Sequence, residues 1–208
     1  MNGGENSGGE SGDFARLEIE TPFSARWLAD FFADPERLLR INPLMTFRRF
    51  EKTGPRSWRV TGRNEATGRD FDLAFECRPI GGGWRIEWRG WLKTATEVRF
   101  EPSGDGGPAR LILIDDYSGA PEAERRRRID EVDTSFKAWG QAIHDYLARW
   151  KRWSWLPGWK RYMGRWWLRM TPAARRISFI IIVLGAMEFA LFLFVFAIFW
   201  LELPKYMN

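Results

Sequence analysis

Apolar and polar positions alternate with a period of two over much of the chain as far as Tyr117, and this pattern predicts strands at residues 14–20, 45–52, 57–62, 69–78, 84–90, 94–101 and 109–117. In 69–78, Phe71, Leu73, Phe75 and Cys77 share one face, while Asp70, Asp72 and Glu76 share the other. In 84–90, Trp84, Ile86 and Trp88 oppose Arg85, Glu87 and Arg89. Strands with one apolar and one polar face belong to an antiparallel sheet that is wet on one side. Between the first two strands, Ser24 is placed to cap a short helix through Trp27 and Phe31, and Asp34-Pro35 starts a second that Asn42-Pro43 ends. Gly81-Gly82-Gly83 and the Gly-rich stretch 102–108 read as hairpin loops, since neither opens a helix as a phosphate-binding loop does.

The period then changes twice. Over 121–150, Ile129, Val132, Phe136, Trp139, Ile143, Tyr146, Leu147 and Trp150 recur at spacings of three and four, which predicts one long helix with a single apolar stripe. The arginines at 125–128 fall in its first turns and read as a solvated face, with an anionic-lipid patch as the sharper alternative. From 177 to 201 the periodicity disappears into an apolar run that Glu188 alone interrupts. Twenty-five helical residues reach roughly 37 Å, more than a hydrocarbon core of about 30 Å. The run has neither the position nor the flanks of a cleaved signal peptide, and it is expected to anchor the chain in a membrane. Residues 1–12 carry almost no apolar side chains and are expected to form a disordered tail.

Charge sharpens this picture. Of a formal net charge of +5, residues 149–176 contribute +9 and residues 177–208 contribute −1, so the remaining residues carry −3. A mildly acidic globular part argues against a nucleic-acid-binding domain. The basic stretch 151–176 is also rich in tryptophan, and Trp153, Trp155, Trp159, Arg165, Trp166, Trp167 and Arg169 are candidates for the headgroup level of a bilayer. Positive charge before the anchor and a lone Lys205 after it predict a single-pass protein of the inner (cytoplasmic) membrane, with its N-terminal domain cytoplasmic. Arginine outnumbers lysine 26 to 6, a composition that suggests a bacterial source. Glu188 sits one turn from Gly185-Ala186, and a carboxyl group at that depth is a candidate contact for a membrane protein partner. One cysteine (Cys77) and one histidine (His144) leave little for a disulfide framework, a metal centre or a serine-type triad, and no cofactor is expected.

The order of elements is strand, two short helices, about six strands, then one long amphipathic helix. With Phe23-Ser24-Ala25-Arg26-Trp27-Leu28-Ala29-Asp30-Phe31 and Leu39-Arg40-Ile41-Asn42-Pro43, it resembles the START-like (SRPBCC) superfamily over residues 14–150. The resemblance implies an α+β helix-grip fold: a curved antiparallel sheet of six to seven strands wrapped on a long C-terminal helix. The membrane anchor is a departure from the family pattern. The expected division is a tail at 1–12, the START-like domain at 13–150, a basic juxtamembrane segment at 151–176, the transmembrane helix at 177–201 and a short tail at 202–208. The family leaves a hydrophobic cavity between sheet and helix, which here would be lined by Trp58, Phe71, Phe75, Trp88, Phe136, Trp139 and Ile143. The first functional reading is a non-enzymatic module that binds or transfers a lipid, isoprenoid or quinone. A second is a cyclase- or aromatase-type enzyme drawing its acid and base from His144, Tyr117, Asp115, Asp116 or Glu87. Asp115 and Asp116 cannot form a dyad, because neighbouring strand residues face opposite ways. A third reading is an assembly or regulatory subunit of a membrane complex.

Overall fold

The computed structural model describes residues 14–104, 107–119 and 121–206, with the side chains at 122, 124–134 and 202–206 outside the description. The expected tail at 1–12, the arginines at 125–128 and the stripe positions Ile129 and Val132 therefore lie outside the described residues and side chains. Seven strands form: β1 (Phe14–Glu20), β2 (Met45–Lys52), β3 (Ser57–Asn64), β4 (Arg69–Ile80), β5 (Gly83–Arg89), β6 (Ala95–Pro102) and β7 (Ala109–Asp116). They pair antiparallel in the order β1-β7-β6-β5-β4-β3-β2 as one curved sheet. The chain passes from β1 at one edge to β2 at the other through α1 (Ala25–Phe31) and α2 (Pro35–Ile41). Ser24 Oγ accepts from the Trp27 amide, and Asp34 accepts from the Glu36 amide with Pro35 in the first turn, so each short helix has its N-cap.

Helix α3 (Glu122–Arg152) lies against the apolar face of the sheet, where Trp139, Ile143, Tyr146 and Leu147 join one core with Val60, Phe75, Ile86, Val98, Leu111 and Leu113. Gly140 allows close approach, because a Cβ there would overlap the Leu17 side chain on β1. Two indoles tie the layers together with hydrogen bonds. Trp84 Nε1 donates to the Phe32 carbonyl (3.0 Å), which ends α1, and Trp139 Nε1 donates to the Leu38 carbonyl of α2 (3.2 Å). Burying an indole without a partner for its N–H costs stability, and these two have partners.

Past Arg152 the chain turns and winds through α4 (Trp159–Arg161), a π-helical turn (Tyr162–Trp166) and a 3₁₀ turn (Trp167–Arg169). Met163 and Leu168 belong to the core, and Tyr146 Oη donates to the Met163 carbonyl (3.1 Å). The compact unit accordingly runs to Arg169, beyond residue 150 where the sequence pattern ends the domain. A second unit begins at Met170 and is built on α5 (Pro172–Tyr206). Its segment Pro172–Leu201, 30 residues, is the one helix among the described residues long and apolar enough to cross a membrane, and its large apolar side chains from Ile177 to Leu201 are exposed.

The outer face of the sheet is a lattice of ion pairs. Arg59 meets Asp72 (2.7 Å) and Arg89 meets Glu76 (2.6 Å), while Arg85 holds both Glu97 (2.5 Å) and Asp116 (3.2 Å). Exposed pairs of this kind are worth about 0–1 kcal/mol each. Arg85 and its partners are more enclosed. Burial alone would raise the Asp116 carboxyl, but hydrogen bonds from Ser118 and Arg85 together outweigh it and hold Asp116 below the usual carboxylate range. Glu97 is likewise held low, with burial opposed by hydrogen bonds from Arg85 and Arg99.

Two outcomes follow for the sheet. A Cβ at Gly62 would overlap the Thr46 carbonyl oxygen, beside the bulge where β2 slips register between Phe47 and Arg49. Gly62→Ala is expected to lower stability by about 1–3 kcal/mol in urea unfolding followed by tryptophan fluorescence. Wild-type stability would mean that β2 can move aside. The second concerns acid. Because the folded-state values of Glu97 and Asp116 lie below their ordinary 4.5 and 3.8, their contribution is present at neutral pH and is lost as pH falls through and below those values. Arg85→Met should therefore be less stable than wild type at pH 7, with the gap narrowing in acid. A gap independent of pH would sink this assignment.

Candidate binding site between the sheet and helix α3

The period-two alternation that puts charge on the outer face puts aromatic rings on the inner one. Trp58 of β3 stacks on Phe75 of β4 (ring centroids 5.3 Å apart), Phe75 meets Trp88 of β5 (4.9 Å), and Trp88 meets Trp91 edge-on (4.6 Å). The row thus crosses three strands and continues into the β5–β6 loop. From α3, Phe136 and Trp139 face the same region, 6.3 Å apart, and Ile143 is fully buried one turn further on.

Where these two groups of rings converge, the inner face carries charge. Lys93, in the β5–β6 loop, forms an ion pair with Asp115 of β7, whose side chain is completely buried. Asp115 also accepts from Thr96 Oγ1 (2.6 Å), its cross-strand neighbour on β6, and from Tyr117 Oη (3.3 Å). Thr96 Oγ1 in turn accepts from Trp88 Nε1 (3.1 Å). The Lys93 ammonium lies 5.2 Å from the Trp91 ring, 5.4 Å from Trp139 and 5.8 Å from Phe136. The cation lies over each ring within cation–π range, so it is held by a carboxylate and three aromatics together. Burying two charges costs several kcal/mol per ion, which this geometry offsets through the pairing and the added hydrogen bonds.

Beside this cluster, at the end of the sheet where α3 begins, a cleft of about 590 Å³ opens. Its walls are Met45, Phe71 and Leu73 from the strands, Trp91 and Leu92 from the β5–β6 loop, and Gly119 and Pro121 from the turn into α3. Asn64, Thr67, Arg69, Asp70, Asp72 and Gly90 complete its lining, which is more polar than apolar. The two loops are joined by the Gly119 amide donating to Thr94 Oγ1 (2.9 Å). Trp91 is shared: it lines the cleft and forms one side of the Lys93 surroundings.

Of the seven residues expected to line a cavity, Phe71 lines this cleft; Phe75, Trp88, Phe136, Trp139 and Ile143 are buried core side chains, and Trp58 is half-buried against Phe75. The candidate acids and bases separate. Asp115 and Tyr117 lie in the inner cluster, whereas Asp116 faces outward to Arg85 and Glu87 outward to Arg78 (3.4 Å). His144 is exposed on α3 beside Asp145. Lys93 is the member that sequence reasoning missed. It follows Gly90, whose positive φ (77°) breaks the strand alternation, so no periodicity points to it. Cys77 sits half-buried on the inner face, and burial pushes its thiol up to about 11, so it is a poor nucleophile. Among the described residues, no three His, Cys, Asp or Glu side chains come together as metal ligands do.

The tryptophans and arginines of the basic segment are divided. Trp155 (71%) and Trp166 (59%) are exposed and Trp153 (37%) just so, and Arg169 is exposed as well. Trp159 and Trp167 pack against the core, Trp167 on Tyr146 (5.0 Å) and Trp159 donating through Nε1 to the Arg149 carbonyl (3.2 Å). Arg165 is exposed too. Glu188 is exposed on α5.

No protein-family model matches the chain, and no curated protein matches it by sequence. Solved structures do match by fold. A START superfamily protein from Mycobacterium smegmatis superposes with a TM-score of 0.51 at 13% identity, covering 66% of this chain and 98% of that one. The Zhui aromatase/cyclase from Streptomyces sp. R1128 gives 0.51 at 14% identity, covering 68% and 97%. The di-domain aromatase/cyclase BexL, from the BE-7585A biosynthetic pathway, gives 0.50 at 16% identity, covering 64% of this chain and 45% of that one. Seven antiparallel strands, two short helices after the first and a long helix across the apolar face are thus the START-like helix-grip fold, which this chain shares with START superfamily and aromatase/cyclase proteins.

Proposed function

We propose that the chain is a membrane-tethered module that binds an apolar small molecule between its sheet and helix α3. The observation that carries this reading is the cleft walled by Met45, Phe71, Leu73, Trp91 and Leu92, in a chain that also holds a 30-residue apolar helix with exposed side chains. Small molecules bind in concave sites that combine apolar walls with placed polar groups, and this cleft sets those five side chains beside Asn64, Thr67, Arg69, Asp70 and Asp72. Thirty helical residues reach about 45 Å, enough to span a hydrocarbon core of about 30 Å with tilt. Exposed Trp153, Trp155 and Trp166, among Lys151, Arg152, Lys160, Arg161 and Arg169, suit the headgroup level of an anionic leaflet. The excess of positive charge before α5 favours a cytoplasmic N-terminal domain on the inner membrane of a bacterial cell. Tethering would keep the cleft at a high effective concentration of a membrane-dissolved ligand such as a lipid, isoprenoid or quinone. Glu188 is the residue of α5 best suited to contact a second membrane helix, since a carboxyl group in hydrocarbon is stabilised by a partner.

The inner cluster favours a second reading, an enzyme acting on the bound molecule, because Tyr117 and Asp115 place a proton donor and a carboxylate on the inner face. Binding is preferred. Asp115 is wholly buried and already accepts from three groups, which leaves it little capacity as a base.

Two measurements test the proposal. After lysis without detergent, the full chain should stay with membranes through salt and alkaline washes; release into the supernatant would end the tether. Organic extracts of the chain purified in several mild detergents should yield one apolar molecule at near-stoichiometric amount. Extracts with none in every detergent would end the ligand reading.

A further inference from the structure

The proposed ligand site has a polar end, and its chemistry narrows what the ligand can be. We infer that Lys93, held by Asp115 and ringed by Trp91, Phe136 and Trp139, is the anchor for an uncharged carbonyl oxygen on an otherwise apolar ligand. This inference rests on the ligand-binding reading above and adds the ligand's chemical class.

Position comes first. Trp91 and Leu92 line the cleft, and Lys93 is the next residue of the same loop. Gly119 and Pro121, also in the lining, come two and four residues after Tyr117, and Tyr117 donates to Asp115. A molecule that fills the cleft touches Trp91, whose ring centroid lies 5.2 Å from the Lys93 ammonium, and the Lys93 side chain keeps 15% exposure while that of Asp115 is at 0%.

Donor capacity comes second. An ammonium group has three N–H donors and no acceptor. Among the described residues, Lys93 has one hydrogen-bond acceptor, Asp115, and its other neighbours are aromatic rings. Cation–π contacts orient the group without saturating it. An incoming acceptor oxygen thus finds a charged donor in apolar surroundings, where a hydrogen bond to charge is strongest.

Charge selects the kind of oxygen. Lys93 and Asp115 together are neutral. A carboxylate or phosphate brought to the ammonium would also be brought to the buried Asp115 carboxylate, and two like charges in a low-dielectric site repel. A ketone, quinone or similar carbonyl accepts the same hydrogen bond without that penalty. A hydroxyl gains less from Lys93, since its own proton would need a further acceptor and Asp115 already accepts from three groups. The carboxylate keeps the lysine charged and aimed, so Asp115 is a positioning residue.

The test uses the full chain in detergent micelles and three probes compared at equal micellar mole fraction by tryptophan fluorescence. Decanophenone supplies the carbonyl, decylbenzene replaces that carbonyl with a methylene, and ionised 4-decylbenzoate supplies an anion. Wild type should bind decanophenone about tenfold or more tighter than decylbenzene and tighter than the benzoate, the size of one charge-assisted hydrogen bond. Lys93→Met should remove the preference while leaving decylbenzene binding in place. Since that variant strands Asp115, the double variant Lys93→Met/Asp115→Asn removes both charges and should also bind the two neutral probes alike. Equal affinities in wild type, a stronger benzoate complex, or a preference that survives in a folded Lys93 variant would overturn the inference and leave apolar binding standing. Failure of every probe to bind wild type would overturn the ligand-binding reading as well. If neither variant folds, the wild-type ranking of the probes decides.

Discussion

A sheet that is apolar on one face must be covered, and in this chain one helix does most of the covering. That constraint shapes the unit up to Arg169. Seven strands turn an inner face of Val60, Leu73, Phe75, Ile86, Val98, Leu111 and Leu113 toward α3. A single helix of ordinary width, about 10–12 Å with side chains, cannot cover so many strands if the sheet stays flat. The sheet curves, α1 and α2 fill in at the sides, and Gly140 lets α3 settle onto β1. The indole hydrogen bonds of Trp84 and Trp139 to α1 and α2 carbonyls then fix the short helices to the layers they flank. Hydrophobic burial drives this arrangement, and the hydrogen bonds decide which arrangement it is.

Along the inner face the composition changes between the described part of α3 and the turn that leads into it. Toward the other end of α3 the contacts are Ile143, Tyr146 and Leu147, all buried at 0–1%. Around Phe136 and Trp139 and the β5–β6 loop stand wide rings and a buried ion pair, with a cleft beside them. Filling that end with aliphatic side chains would give a tighter core, and replacing a buried pair with apolar residues is commonly neutral or stabilising. Stability alone does not call for Lys93 and Asp115. The proposed ligand site would call for both: a polar group beside the cleft, and a wide ring, Trp91, that reaches from one to the other.

The regular elements were legible because each carries its own period. Alternation in 69–78 and 84–90 located β4 and β5, and the two-residue turn at Gly81-Gly82 explains why the strands extend to Ile80 and from Gly83. The same alternation sets Asp115 and Asp116 on opposite faces, where the structure has them paired with Lys93 and Arg85. The pairing of β1 with β7, the first strand with the last, has no local signal in the sequence. Lys93 was illegible for a related reason. It lies in the irregular stretch between β5 and β6, where side-chain direction follows the particular backbone path after Gly90 and not a repeat. Its partner is 22 residues away in sequence.

The basic, tryptophan-rich segment shows where composition stops being enough. By content alone it reads as uniform headgroup-level chain. In the structure Met163 and Leu168 are core residues at 1% and 4% exposure, five positions apart, a spacing that fits neither helical nor strand periodicity. A π-helical turn followed by a 3₁₀ turn is what brings both inward. The same winding divides two adjacent tryptophans: Trp167 packs on Tyr146, and Trp166 is 59% exposed. An exposed indole beside a buried one cannot be explained by the needs of the core, which Trp167, Met163 and Leu168 already meet. With Trp153 and Trp155 also outside, the segment holds more aromatic surface than folding uses. Under the proposed tethering that excess would meet the amphipathic zone of lipid headgroups, where an indole's apolar rings and N–H are both accommodated.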